Sequence, residues 1–261
     1  MSLFTRRWML GALPALGVAT PAFAQRAESR LGKPPSPLGG GTDYAVDSWL
    51  DIYGRPTVKV MINGRGPFQF MVDTGSATTV VAARHVEVLE AVSRGRVIVH
   101  GATGSAVMPL VELENLQAGA VDKKDLRVAV LPDARLTRED GILGTDVFAG
   151  RRLVFEIRDK VVRIEPSQRQ ASAPQQANIR IRTGLLAEVD GRVGDIKVRM
   201  MLDTGAKSCI ANMALNDALL KRYPRLQRAD NARIFGVTGQ GVSGQLVFLP
   251  KVDMRAFTVE G

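Results

Sequence analysis

Cysteine and histidine are nearly absent: the 261 residues hold one Cys and two His. A lone thiol, Cys209, excludes an intrachain disulfide, and its place in an apolar stretch reads as a small buried hydrophobe. One thiol and two isolated imidazoles, His85 and His100, cannot assemble a conventional zinc site. No metal and no cofactor is expected. Aromatic residues make up only 5%, and no basic run carries interleaved aromatics. The net charge of +9 therefore reads as a solvated basic surface, and no nucleic-acid partner is expected. The apolar stretch that ends at Ala19 is too short for a permanent membrane span.

With 45% hydrophobic and 23% charged residues, the composition is that of a globular chain large enough for two lobes. At the start, Arg6-Arg7 precedes the short apolar stretch, and Ala22-Phe23-Ala24 offers an A-x-A cleavage site. This pattern predicts an export signal over 1–24, with the arginine pair similar to a twin-arginine signal. The expected location is periplasmic or secreted. The first 24 residues carry two arginines and no acid, so the remainder keeps 9 − 2 = +7. Residues 25–42, with Pro34, Pro35, Pro37 and Gly39-Gly40-Gly41, read as a linker.

One tripeptide is written twice. Asp73-Thr74-Gly75 ends the apolar run Phe68–Val72, and Asp203-Thr204-Gly205 ends the run Val198–Leu202. In each case a strand-like stretch delivers an acid into a tight turn, followed by a small residue, Ser76 or Ala206. The spacing is 203 − 73 = 130 residues. Two carboxylates brought face to face cannot both ionise easily, so one keeps its proton. Such a pair is a general acid and a general base in one site. A phosphatase with an aspartate nucleophile would need a second acid two residues on, where Gly75 and Gly205 stand.

The repeat extends further. Gly101–Val107 matches Gly236–Val242, and Pro109–Leu113 matches Pro250–Met254. Around these matches the chain reads as short strands. Pro56–Ile62 and Phe68–Val72 flank an Asn63-Gly64 turn. Arg96–His100 and Ala106–Leu113 flank the first glycine loop, and Leu126–Leu131 is a further strand. Leu153–Ile157 and Val161–Ile164 form a hairpin. Ala82–Val92 is predicted as a short helix. In the second copy, Leu185–Val189, a turn at Asp190-Gly191 and Asp195–Leu202 repeat the hairpin that delivers the acid.

Taken together, the two Asp-Thr-Gly turns after apolar strands resemble the active-site loops of retropepsin-like aspartyl proteases, here in single-chain form. The resemblance implies an all-β, two-lobed acid-protease fold with an N-terminal lobe over 43–166, an interlobe linker over 167–177 and a C-terminal lobe over 178–261. It implies that Asp73 and Asp203 activate a water that attacks a peptide bond. Thr74 and Thr204 would cross-link the loops, and Gly75 and Gly205 would let the backbone pass close to the acids. Ser76 would hydrogen-bond Asp73, and Ala206 could not do so for Asp203. Gly101-Ala102-Thr103-Gly104 and Gly236-Val237-Thr238-Gly239 would be flaps over a peptide or protein substrate. Ile142-Leu143-Gly144 would support the first acid loop. Lys207, where the first copy has Ala77, is expected to point to solvent. A second reading keeps the cleft but not turnover, as a peptide-binding pseudoprotease.

The repeat also predicts an incomplete second lobe. Carrying forward the proline offset, 250 − 109 = 141, puts the counterpart of Gly141 at 282. The expectation is a second lobe without equivalents of Leu126–Leu131, Gly141–Phe148 and Leu153–Ile164, hence impaired and prone to self-association, the alternative being that another subunit or the Gln25–Asp51 segment supplies the missing strand.

Overall fold

The computed structural model describes residues 45–46, 48–136, 138–156, 159, 161–167, 179–181, 186–249, 251–254 and 258–260. The expected export signal, the 25–42 linker and all but Ser167 of the interlobe linker lie outside the described residues.

Alternation builds the first lobe. In β3 (Pro56–Ile62), Val58, Val60 and Ile62 are fully buried while Lys59 between them is exposed. An Asn63-Gly64 turn, both residues at positive φ, returns the chain into β4 (Arg65–Val72). The lobe continues with β5 (Val80–Ala82), β6 (Val92–Gly101), β7 (Gly104–Ala118), β8 (Val121–Leu131) and β9 (Gly141–Leu143). With β2 (Ser48–Leu50) they form one sheet in the order β2-β3-β4-β9-β5-β8-β7-β6. An added β3–β7 pairing closes six of these strands into a barrel, which removes their free edges. Strand β9 runs parallel to β4, setting Leu143 beside Val72 at the mouth of the acid loop. A separate sheet joins β1 (Ala45–Val46), β11 (Val161–Pro166) and β10 (Arg151–Glu156).

Two apolar clusters line this lobe. One fills the barrel around Val60, Phe70, Leu113, Leu116 and Leu143. The other, built on Met71, Val80, Leu131, Leu136 and Ile142, meets Val237 of the second glycine loop.

The second lobe has β12 (Ile179–Ile181), β13 (Ala187–Val193), β14 (Ile196–Met201), helix α1 (Met213–Arg222), β15 (Arg228–Phe235), β16 (Gly241–Val247), β17 (Lys251–Asp253) and β18 (Thr258–Glu260). β15 and β16 form a hairpin, and the other strands share one sheet. Its described residues bury few apolar side chains: Val189, Val193 and Leu219. Met201, Ile210, Phe235, Leu246 and Phe248 stand exposed.

Several expectations are corrected. Residues 82–92 hold a strand end and a single 3-10 turn, Ala83–His85, in place of a helix. The second hairpin turns at Gly194-Asp195, and Asp190-Gly191 lies within β13. Gly191 is needed there because β17 crosses it: a Cβ would sit 2.4 Å from the Asp253 carbonyl oxygen. Helix α1 was not expected. Its N-cap is Asn212, whose side chain accepts from Leu215 N at 3.0 Å. Cys209 is exposed, on the irregular stretch between β14 and α1.

The proline match is also revised. Met61 and Ile62 pair with Gln117 and Leu116, while Arg192 and Val193 pair with Asp253 and Val252. Asp253 therefore repeats Gln117, an offset of 253 − 117 = 136. β18 continues it: Thr258 pairs with Asp253 as Asp122 pairs with Gln117, and 258 − 122 is again 136. Ladder register, set by alternation and by the hairpin, overrides a short apolar pattern that can slide.

Candidate active site

β4 and β14 each deliver an acid to the same place. A Cβ built on Gly75 would lie 2.4 Å from the Asp203 carboxyl carbon, and one built on Gly205 would lie 2.4 Å from that of Asp73. Each carboxyl thus sits over the other loop's glycine, in the space a side chain would fill.

The threonines behind the acids interlock. Thr74 Oγ1 donates to the Leu202 carbonyl at 2.7 Å and accepts from Thr204 N at 3.2 Å. Thr204 Oγ1 donates to the Val72 carbonyl at 2.6 Å and accepts from Thr74 N at 3.1 Å. Every hydroxyl proton is used across the lobe boundary, so the 3.5 Å separation of the two hydroxyl oxygens adds no bond.

The acids are not equivalent. Gly75 N donates to Asp73 Oδ1 at 2.8 Å; Gly205 N and Ala206 N both donate to Asp203 Oδ1, at 2.8 and 2.9 Å. Asp73 is half-buried and Asp203 exposed. Burial, then the facing Asp203 charge, push the Asp73 carboxyl up to about 7, against amide hydrogen bonds that favour its ionised form. Contrary to expectation, the Ser76 hydroxyl donates to the Thr78 carbonyl at 2.8 Å and not to Asp73. The hydroxyl is drawn down into its own turn.

The Ile142-Leu143-Gly144 segment holds the first acid loop. Asp73 N donates to Leu143 O at 3.0 Å, and Thr145 N to Ser76 O at 2.8 Å. Gly144 is required because a Cβ would meet the Thr78 backbone at 2.4 Å. Asp146 then accepts from both the amide and the hydroxyl of Thr79, at 2.9 and 2.8 Å.

Both glycine loops form hairpin tips, and the tips meet. Gly101 abuts Thr238, Gly236 abuts Thr103, and Gln240 Nε2 donates to Ser105 O at 3.1 Å. The hydroxyls of Thr103 and Thr238 are buried there without a hydrogen-bond partner. Ala102 and Gly104 complete the first tip, and a Cβ on Gly104 would clash with the Gln240 side chain.

Other residues around the site carry no sequence signal, because their partners are remote. Arg135 donates to the Gly239 carbonyl at 3.5 Å. Arg55 Nε pairs with Asp51 at 2.5 Å and its NH2 with the buried Glu139 at 3.0 Å, while its NH1 donates to the Gly205 carbonyl at 3.5 Å. Burial would raise the Asp51 carboxyl, yet hydrogen bonds from Arg55 and the Tyr53 amide hold it below its ordinary value. Lys207 is exposed but not free in solvent: its ammonium sits 4.4 Å from the Tyr53 ring centre. Beneath the second acid loop lies a largely apolar cavity of about 320 Å³, lined by Trp49, Leu50, Phe155, Val162 and Asp203. Among the described residues, no group of three or more His, Cys, Asp or Glu is placed to hold a metal ion, and no helix is long and apolar enough to cross a membrane.

Residues 58–147 match the profile of a family described as "Aspartyl protease". That span holds the first acid loop, the first glycine hairpin and the Ile142-Leu143-Gly144 support. A search of curated proteins gives no match. Among solved structures, a retropepsin-like aspartic protease from Rickettsia conorii is similar at 17% identity, over 44% of this chain and 86% of that one, with a TM-score of 0.32.

Proposed function

We propose that this chain is a two-lobed, retropepsin-like aspartic endopeptidase. The observation that carries the reading is the pair of carboxyls, each over the other loop's glycine, with Thr74 and Thr204 bonded reciprocally behind them. A water between Asp73 and Asp203 gives a proton to the ionised carboxylate as its oxygen attacks the scissile carbonyl carbon. The protonated carboxyl donates to the carbonyl oxygen, forming a tetrahedral diol. The newly protonated carboxyl then gives its proton to the leaving nitrogen, a diol hydroxyl gives its proton to the other carboxylate, and the C–N bond breaks to leave a carboxylic acid, an amine and the pair with one proton. Asp73, raised to about 7, is suited to hold the proton on the acid side of neutrality.

The hairpins at 101–104 and 236–239 would part to admit a peptide. Export through the 1–24 signal would put this activity in the envelope.

Digestion of a peptide library by the purified protein, from pH 3 to 8, is the test. Cleavage that is lost in both Asp73→Asn and Asp203→Asn is the expected result. Peptide binding without cleavage in the unmutated protein would favour the pseudoprotease reading. Activity retained in either variant would overturn the assignment.

A further inference from the structure

The two acid loops repeat each other, but their outer surroundings do not. The 205–206 peptide is held at both ends: its N–H, on Ala206, donates to Asp203 Oδ1 at 2.9 Å, and its carbonyl, on Gly205, accepts from Arg55 at 3.5 Å. A peptide whose carbonyl faces a guanidinium is a stronger donor at its N–H, because hydrogen bonds in a chain polarise one another. That N–H ends on one carboxylate of the proposed pair.

The first loop has no such arrangement. Strands β3 and β13 repeat at an offset of 193 − 62 = 131, so the counterpart of Arg55 is residue 186, a leucine. Among the described residues, no side chain donates to the Gly75 carbonyl. Ser76 N, the counterpart of Ala206 N, lies 3.3 Å from the Asp73 backbone carbonyl and also favours the ionised Asp73 carboxyl, so the difference between the loops is the guanidinium behind the peptide.

We infer that Arg55 is a positioning residue that breaks the symmetry of the pair: by clasping the 205–206 peptide it makes Asp203 the carboxylate that stays ionised and leaves the proton on Asp73. Asp51 and Glu139, two acids against one cation, fix the guanidinium in place and more than offset its charge. The effect therefore travels through the directed hydrogen bond, which needs the planar three-pronged fork of arginine. The other charged groups facing the site are Lys207, held on Tyr53, and Glu156 across the cavity. The inference rests on the paired-carboxylate reading and deepens it by assigning the two roles.

The test reads protons directly. Protein labelled with carbon-13 at aspartate side-chain carboxyls is titrated by NMR, with Asp73→Asn and Asp203→Asn assigning the two signals. Asp203 is expected to ionise first. In Arg55→Met the first midpoint of the pair should move up by about one pH unit, and Arg55→Lys, lacking the fork, should follow it. The acid limb of the cleavage profile should move in the same direction, with the alkaline limb in place. Ionisation of Asp73 first, or an unmoved first midpoint in folded Arg55→Met, would overturn the inference. Should neither Arg55 variant fold, the order of ionisation in the unmutated protein decides alone. The titration needs no substrate, so a protein that cleaves nothing would refute the protease reading while leaving this assignment to stand or fall by itself.

Discussion

Replacing Thr74 by valine keeps shape and removes one hydroxyl. That hydroxyl donates to Leu202 O and accepts from Thr204 N, both across the lobe boundary. Losing it leaves a carbonyl and an amide without partners in a half-buried place. A fully buried orphan group costs about 1–3 kcal/mol, so partial access to water puts the pair at about 2–4 kcal/mol. Urea unfolding with an unchanged slope should show the loss as a lower midpoint. Thr74→Ser, which keeps the hydroxyl, should recover most of it. Because Thr204 makes the mirror-image bonds, the double Val variant should cost less than the sum of the singles. Thr74→Val within about 0.5 kcal/mol of the unmutated protein, or strict additivity, would refute the interlocked grip.

Three further outcomes are expected. Asp73 is raised from 3.8 to about 7 in the folded chain, so its contribution to stability is fully present below pH 3.8 and is lost as pH rises through 7, by up to about 4 kcal/mol; Asp73→Asn should flatten that slope in thermal melts, whereas Asp51 and Asp140, held low, act only as pH falls below the ordinary carboxylate range. Gly75→Ala and Gly205→Ala each place a methyl 2.4 Å from the opposing carboxyl carbon, which should part the acids and lower the cleavage rate about a hundredfold, with circular dichroism little changed. Hydrogen exchange should be much slower in β3, β4 and β9, whose apolar side chains are buried, than in β14 and β16 of the thinly packed second lobe; equal protection would contradict the burial pattern.

Much of the first lobe was legible because its strands alternate cleanly and its turns carry Asn-Gly or bare glycine. The acid loops, the hairpin tips and the Ile142-Leu143-Gly144 support are all local patterns, so sequence reading reached them. Register was harder. The apolar run after the second hairpin tip matches the first lobe equally well at two offsets, and only the ladder to β13 selects 136. Asp190-Gly191 looked like a turn because the crossing of β17, which demands Gly191, comes from residues some sixty positions away. Helix α1 escaped because its apolar residues form no strong stripe and its cue is a single capping asparagine. Arg55 and Glu139 are invisible for the same reason as Gly191: their partners lie 84 and 150 positions from one another or from the loop they hold.

The meeting of the two hairpin tips makes the resting cleft a self-closed one. Thr103 and Thr238 each bury a hydroxyl without a hydrogen-bond partner in the protein among the described residues. Sealing them away costs about 1–3 kcal/mol apiece, and the seal is held by few bonds, among them Gln240 to Ser105 and Arg135 to Gly239. On the proposed reading, an incoming peptide backbone that offers a carbonyl and an amide at the tips would pair both hydroxyls. A ligand without a backbone, however apolar, gains nothing from either threonine. On the proposed protease reading, the tips would screen for the amide chain itself before any side chain is read.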